Sequence, residues 1–179
     1  MGLKKLLEKK KSAIIKDWFE AVAATYAPDA ADFFKRQKDP FANPVGNTLF
    51  NGLKKLFDEL LLNMDHKEIK SCLDPLIRIR AVQDFSPSQA TSFILSLKKV
   101  IITNLQKELR DIHILNEFLQ FESKIDTLSL IAFDIYVECR EKIYELKVTT
   151  ERNKIYSAFA RAGLIYDTPD NAPNLKVLK

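Results

Sequence analysis

Hydrophobic residues recur three or four positions apart along most of this chain, which is the spacing of one face of an α-helix. Prolines and short polar segments interrupt the pattern, and between the interruptions it predicts six helices. We therefore expect an all-α protein, a single-domain bundle of about six helices around a long central helix near the C-terminal end.

The most apolar stretch of the chain, Asn116 to Val148, belongs to the sixth predicted helix and carries two hydrophobic rows. The later part of this helix, Arg140 to Ala160, is predicted to be less apolar. The first row consists of Ile125, Leu128, Ala132, Ile135, Cys139, Ile143 and Leu146, and the second of Leu130, Phe133, Val137 and Tyr144. A helix that is apolar on more than one side is normally surrounded by other helices. We expect this helix to be the central post of the bundle, enclosed by the other five.

The first predicted helix combines an apolar stripe with a lysine-rich remainder. The stripe consists of Leu3, Leu7, Ile14, Trp18 and Val22. Such a helix either packs on a core with its lysines in water or lies on a membrane surface. We favour the core, with Trp18 as an anchor, and expect Pro28 to end the helix because proline cannot continue its hydrogen bonds.

Two helices follow the first. A short one is predicted from Asp29 to Lys38. The next starts at Asn43, a good N-cap, with Pro44 in the first turn, where its missing N–H is harmless, and runs to about Asn63. Its predicted buried side consists of Leu49, Leu53, Leu56, Phe57 and Leu60.

Capping boxes predict the starts of the fourth and fifth helices. Asp65 and Glu68 form the first box, and Ser86 with Gln89 forms the second. The second is the stronger signal, because a proline also occupies the first helical position. We expect the fifth helix to end near Arg110.

Composition narrows the class of protein further. A length of 179 residues fits one domain, and we expect a helical domain over residues 1–165 and a disordered tail over residues 166–179. Only four glycines are present, which argues against β-barrels and glycine-rich phosphate loops. The net charge of +4 is mild, so we expect no nucleic-acid partner.

No residue pattern indicates catalysis, a metal or a cofactor. His66 and His113 belong to no ligand motif, and no serine lies in a nucleophile elbow. Cys72 and Cys139 have no partner at metal or redox spacing and are interpreted as core thiols. We expect no enzyme and no cofactor. The chain has no secretory signal and no apolar run that could span a bilayer, which favours the cytoplasm.

One polar cluster is a candidate site. Asp134 lies in the most apolar part of the sixth helix, where an unpaired carboxylate would be costly. We hypothesise that it pairs with Arg78 or Arg80, and that Arg80 also pairs with Asp84. The alternative is that Asp134 lies on a narrow solvent-facing strip.

Three segments of the chain suggest a family. They are Phe41 to Gly46, Ile77 to Ala90, and Ala132 to Tyr144 without Val137 and Glu138. In this order they resemble the N-terminal domain of the stressosome RsbT co-antagonist RsbRD. The resemblance implies a sensory domain that has a globin-like fold, holds no haem, dimerises and takes part in stress signalling. In stressosome relatives a phosphorylatable STAS domain follows. No such segment occurs here, so we expect a stand-alone sensor or an adaptor.

The leading functional hypothesis is a non-enzymatic sensory or interaction domain that forms a homodimer and binds an unidentified protein partner. It would transmit change through Arg140 to Ala160, with Arg140, Glu141 and Tyr144 as candidate interface residues. The alternatives are a binder of small apolar ligands and a peripheral membrane adaptor that uses the first helix. The ligand pocket would lie between the sixth helix and four phenylalanines, namely Phe33, Phe34, Phe57 and Phe93.

Overall fold

A computed structural model describes residues 2–37, 39–83 and 85–164. Its α-helices are α1 (Leu3–Ala23), α2 (Pro28–Arg36), α3 (Pro44–Leu61), α4 (His66–Val82), α5 (Pro87–Asn104) and α6 (Ile112–Arg161), and a 3-10 turn spans Glu108–Arg110. The described ranges contain no strand. The prediction of an all-α bundle with six helices, the longest of them last, is confirmed. The globin-like arrangement stays a prediction.

The chain divides into two compact units, Met1–Arg140 and Glu141–Lys179. The predicted tail, residues 166–179, lies outside the described residues, and the predicted domain limit at residue 165 stays a prediction.

The predicted caps begin three of the helices. Asn43 accepts a hydrogen bond from the Gly46 backbone N–H at 2.9 Å, which satisfies one of the free donors of the first turn of α3. At α5 the capping box is complete, because Ser86 and Gln89 each accept from the other's backbone N–H. At α4 only the Asp65 half of the predicted capping box forms within the described residues, because the side chain of Asp65 accepts from the backbone N–H groups of Lys67 and Glu68 without a return bond to the Glu68 side chain.

Several helix ends differ from the prediction, and two of them have a local physical reason. α1 ends at Ala23, and Pro28 is the first residue of α2, a position that suits proline because its fixed φ matches the helix. α5 ends at Asn104 and not near Arg110. The ammonium of Lys10 donates to the carbonyl oxygen of Asn104 at 2.6 Å and so satisfies an acceptor that the end of the helix leaves open.

α1 lies against α2, α3 and α5, and α4 packs against α3 and α5. The predicted stripes of α1 and α3 are buried. Trp18 is a core anchor, as predicted, and its indole N–H donates to the carbonyl oxygen of Phe93 at 2.8 Å. Because the large apolar residues of α1 face the core, this helix presents its lysines and not an apolar surface to solvent.

The two apolar rows of α6 have different environments within the first unit. Ile125 and Leu128 of the first row are buried. In the second row Leu130 is 69% exposed, Phe133 47% and Val137 37%. The expectation that other helices enclose α6 on all sides is therefore wrong, because its neighbours cover only one side.

The second unit continues α6 to Arg161. Its described residues are exposed, apart from the half-buried Ile143. They include seven large apolar side chains, those of Tyr144, Leu146, Val148, Ile155, Tyr156, Phe159 and Leu164. No described helix has the length and the apolar character needed to cross a membrane.

Candidate functional site

The predicted polar cluster does not form as expected. Asp134 is exposed and makes no ion pair with either arginine, so the solvent-facing alternative describes it. Arg78 is exposed and donates to Asp74, one turn earlier on α4, at 2.6 Å. Asp84 lies outside the described residues, so its predicted pairing with Arg80 stays a prediction.

Arg80 is fully buried. Its Nη2 donates to the hydroxyl of Thr25 at 2.9 Å and to the carbonyl oxygen of Gln89 at 3.0 Å. Its Nε and Nη1 have no hydrogen-bond partner within the described ranges. Burial lowers the pKa of the Arg80 guanidinium from its ordinary value, because the charged form loses its hydration.

Three aromatic rings surround this guanidinium. Its central carbon lies 4.3 Å from the ring centre of Phe85, 5.1 Å from that of Tyr26 and 5.3 Å from that of Phe93. The negative faces of aromatic rings attract a cation, most strongly where water is excluded. Burial raises the pKa of the Tyr26 phenol, an effect that the charge of Arg80 partly opposes. We call Arg80 and these three rings the arginine box.

The arginine box joins the end of α1, the end of α4 and the beginning of α5. α6 is tied to the same connection by two hydrogen bonds. The Tyr136 hydroxyl donates to the carbonyl oxygen of Phe85 at 2.5 Å, and Arg140 Nη1 donates to that of Ala81 at 3.0 Å.

The sequence indicated that Arg80 is an unusual cation in an apolar helix, but the predicted partner of its guanidinium was a carboxylate. Phe85 and Phe93 follow Arg80 closely in the sequence, but Tyr26 comes from a distant part of the chain, and no spacing pattern indicates that the three rings meet around one cation.

The residues with potential chemistry are dispersed. Cys72 and Cys139 are free, buried thiols, and burial raises the pKa of each. His66 and His113 are exposed near helix starts. Within the described residues no three histidine, cysteine or acidic side chains lie close enough together to hold a metal ion.

The four phenylalanines of the predicted ligand pocket do not line one cavity. Phe57 and Phe93 are core residues, and Phe33 is exposed. Phe34 is half-buried and lines an open groove between α1, α2 and α3 with a volume of about 500 Å³. We call this the α1–α3 groove.

The candidate interface residues divide between the two units. Arg140 is the last residue of the first unit, where its Nη1 donates to the carbonyl oxygen of Ala81 in the last turn of α4. Glu141 and Tyr144 are exposed residues of the second unit. Their part in signalling stays a prediction.

Leu130, Phe133 and Val137 form an exposed surface of the first unit, which we call the α6 apolar face. Their spacing of three and four residues places them on one side of the helix. Contiguous exposed apolar residues that include an aromatic ring are typical of protein-interaction surfaces.

Residues 12–148 match the family described as the RsbT co-antagonist protein rsbRD N-terminal domain. The match covers more than half of the chain and includes the arginine box and the α6 apolar face. No curated protein and no solved structure matches the chain.

Proposed function

Because the chain belongs to the family of RsbT co-antagonist protein rsbRD N-terminal domains, we propose that it is a non-enzymatic sensory or regulatory module of the stressosome type. It acts by binding other proteins. The family match supports the regulatory class, and the α6 apolar face is the observation that supports binding. A globin-like arrangement and a cytoplasmic location, both implied by the family, belong to this proposal.

The first partner that we propose is a second copy of the chain. A two-fold dimer brings the same patch of both copies together, so a single helix face that is apolar along its length is self-complementary. Phe133 lies between Leu130 and Val137, and a central aromatic residue with aliphatic neighbours is a common arrangement of interface anchors. The half-exposed ring of Phe133 supports this assignment.

The second unit supports a further protein contact. Most of the stability of a helix in a protein comes from packing an apolar side against other elements and not from intrinsic propensity. The helix in this unit exposes Tyr144, Val148, Ile155 and Phe159. We propose that residues 140–160 form the output segment and that a partner protein or a second copy covers these side chains.

The membrane alternative receives no support from α1. Insertion of an amphipathic helix into a membrane surface uses its apolar side. That side of α1, including Trp18 and Ile14, lies in the core.

Sedimentation velocity tests the proposed dimer. We expect the wild-type protein to have a molar mass in solution of twice the 20.6 kDa of one chain. Phe133→Asp places a charge in the α6 apolar face and should give a monomer. The matched control is Leu95→Asp, which changes an exposed leucine on α5 and should leave the dimer intact. A monomeric wild type, or an equal effect of the two variants, would refute the assignment.

A further inference from the structure

The α1–α3 groove has an aromatic floor. Phe19, Phe34 and Phe50 line it, and the rings of Phe19 and Phe50 meet edge to face with 5.5 Å between their centres. The volume of about 500 Å³ is within the usual range for small-molecule sites. The aromatic rings of a ligand can pack against these phenylalanines in the offset-stacked or edge-to-face arrangements that aromatic pairs prefer.

The side-chain amide of Asn43, which also lines the groove, is already hydrogen-bonded within the protein through both its nitrogen and its oxygen. The side-chain amide N–H groups of Asn43 donate to the carbonyl oxygens of Phe34 and Gln37, and its oxygen accepts from Gly46. Asn43 therefore fixes the end of α2 against the start of α3 and keeps the groove in shape. It has no hydrogen left to donate to a ligand.

Two other amides have donors to spare. The side-chain oxygen of Gln37 accepts from the Asp39 backbone N–H at 3.1 Å, and that of Asn47 accepts from Asn51 at 2.9 Å. The side-chain nitrogens of Gln37 and Asn47 have no partner within the described part of the chain. The groove thus offers free amide N–H donors, while each of the two amide oxygens already accepts one hydrogen bond.

The charges at the groove favour a ligand that carries a negative charge. Lys16 and Lys35 line it, against one carboxylate, that of Glu20. Lys16 approaches Glu20 only to 3.9 Å, and Lys35 has no ion pair with any described residue. The net charge of the lining is therefore positive, and its unused hydrogen-bonding groups are mainly donors.

We propose that the α1–α3 groove binds a small aromatic anion, a flat ring system that carries a carboxylate or a sulfonate. The rings of the ligand lie on Phe19, Phe34 and Phe50. Its acid group pairs with the ammonium of Lys35 and accepts hydrogen bonds from the side-chain amides of Gln37 and Asn47. The existence of this site is independent of the dimer. Only its role as the input of a sensor rests on the proposed function.

A contact path links the groove with α6. The ring of Phe34 meets that of Tyr26 edge to face, with 5.1 Å between their centres. Tyr26 belongs to the arginine box, in which Phe85 is held by the hydroxyl of Tyr136 on α6. A ligand that moves Phe34 therefore acts on the α4–α5 connection through packed side chains.

A matched pair of fluorescent probes tests the site. Anilinonaphthalene sulfonate is an aromatic anion, and phenylnaphthylamine has the same ring system without the charge. We expect the wild-type protein to bind the anion at least about tenfold more tightly, the equivalent of ~1.4 kcal/mol. The Gly46 and Asn47 amide signals should shift when the anion is added, and with four glycines in the chain the Gly46 signal is readily assigned.

Charge reversal at the groove gives the decisive comparison. The double variant Lys16→Glu and Lys35→Glu should weaken binding of the anion by about tenfold or more and change binding of the neutral probe less than about twofold. The control reverses Lys54 and Lys99, exposed lysines on α3 and α5 that do not line this groove, and should retain both affinities. Circular dichroism confirms that each variant is folded.

Other outcomes would refute the site. Equal losses for both probes, or no loss in the groove variant, would mean that the groove has no preference for anions. Loss of probe binding in Phe133→Asp but not in the groove variant would move the site to the α6 apolar face. By contrast, a monomeric wild type that binds the anion in the groove would refute only the proposed dimer and would support this site.

Discussion

Leu128 and Leu130 lie two residues apart on α6, yet the first is fully buried and the second is 69% exposed. Both belong to rows with helical spacing and similar composition. What separates them is where α1 to α5 happen to lie, because the neighbours cover one side of α6. The difference teaches that an apolar row on a helix indicates a surface that will be covered. It does not indicate whether the covering residues belong to the same chain or to a second one.

The strongest way to sharpen this comparison is the same substitution at both leucines. Leu128→Ala should lower the free energy of unfolding by about 2–5 kcal/mol, because it leaves a cavity in the core. Leu130→Ala should change it by less than about 0.5 kcal/mol. Urea unfolding in the Phe133→Asp background measures both without a contribution from the dimer. Equal losses at the two positions would mean that both rows are buried within one chain.

The two arginines of α4 extend the comparison to charged residues. Arg80→Ala should lower the free energy of unfolding by about 2 kcal/mol or more, since it empties the arginine box. Arg78→Ala removes only an exposed ion pair with Asp74, worth about 0.3–0.5 kcal/mol. Thermal and urea unfolding measure both. A more stable Arg80→Ala protein would show that the cost of burying the charge exceeds the gain from the rings.

A smaller effect is expected where α6 meets the α4–α5 connection. Tyr136→Phe removes the hydrogen bond to the carbonyl oxygen of Phe85 and should cost about 1 kcal/mol. Urea unfolding measures the loss. An unchanged free energy of unfolding in Tyr136→Phe would contradict the assigned hydrogen bond.

The smallest effect concerns pH. The ammonium of Lys10 holds the pKa of Glu108 below its ordinary value through a hydrogen bond. The resulting stability is present above the ordinary pKa and is lost as pH falls through the lowered one. Glu108→Gln should lower the melting temperature by less than about 2 °C at neutral pH, and the difference should shrink as the pH falls through the lowered pKa. A difference that persists in acid would point to packing instead of charge.

Local signals in the sequence predicted much of the fold. Asn43 and Ser86 begin helices as their side-chain chemistry indicates, and the apolar stripes of α1 and α3 are buried. These features depend on residues within one or two turns, which a single sequence contains.

The candidate site depended on information that the sequence does not contain locally. Arg80 was expected to pair with a carboxylate, because a buried cation usually needs a charged partner and the sequence does not show that Tyr26, Phe85 and Phe93 turn their rings toward it. For Asp134 the sequence left a buried ion pair and a solvent-facing strip open, and the exposed position of its side chain agrees with the second. The α1–α3 groove forms where α1, α2 and α3 meet, and no pattern within any one helix reveals it.

Hydroxyl-radical footprinting with mass spectrometry tests most directly whether a second copy covers the α6 apolar face. Phe33 and Phe133 are a matched pair, 46% and 47% exposed in one chain, so their intrinsic oxidation rates should be similar. We predict that Phe133 is protected relative to Phe33 in concentrated protein and that dilution removes the protection. Equal oxidation of the two rings at every concentration would contradict the account.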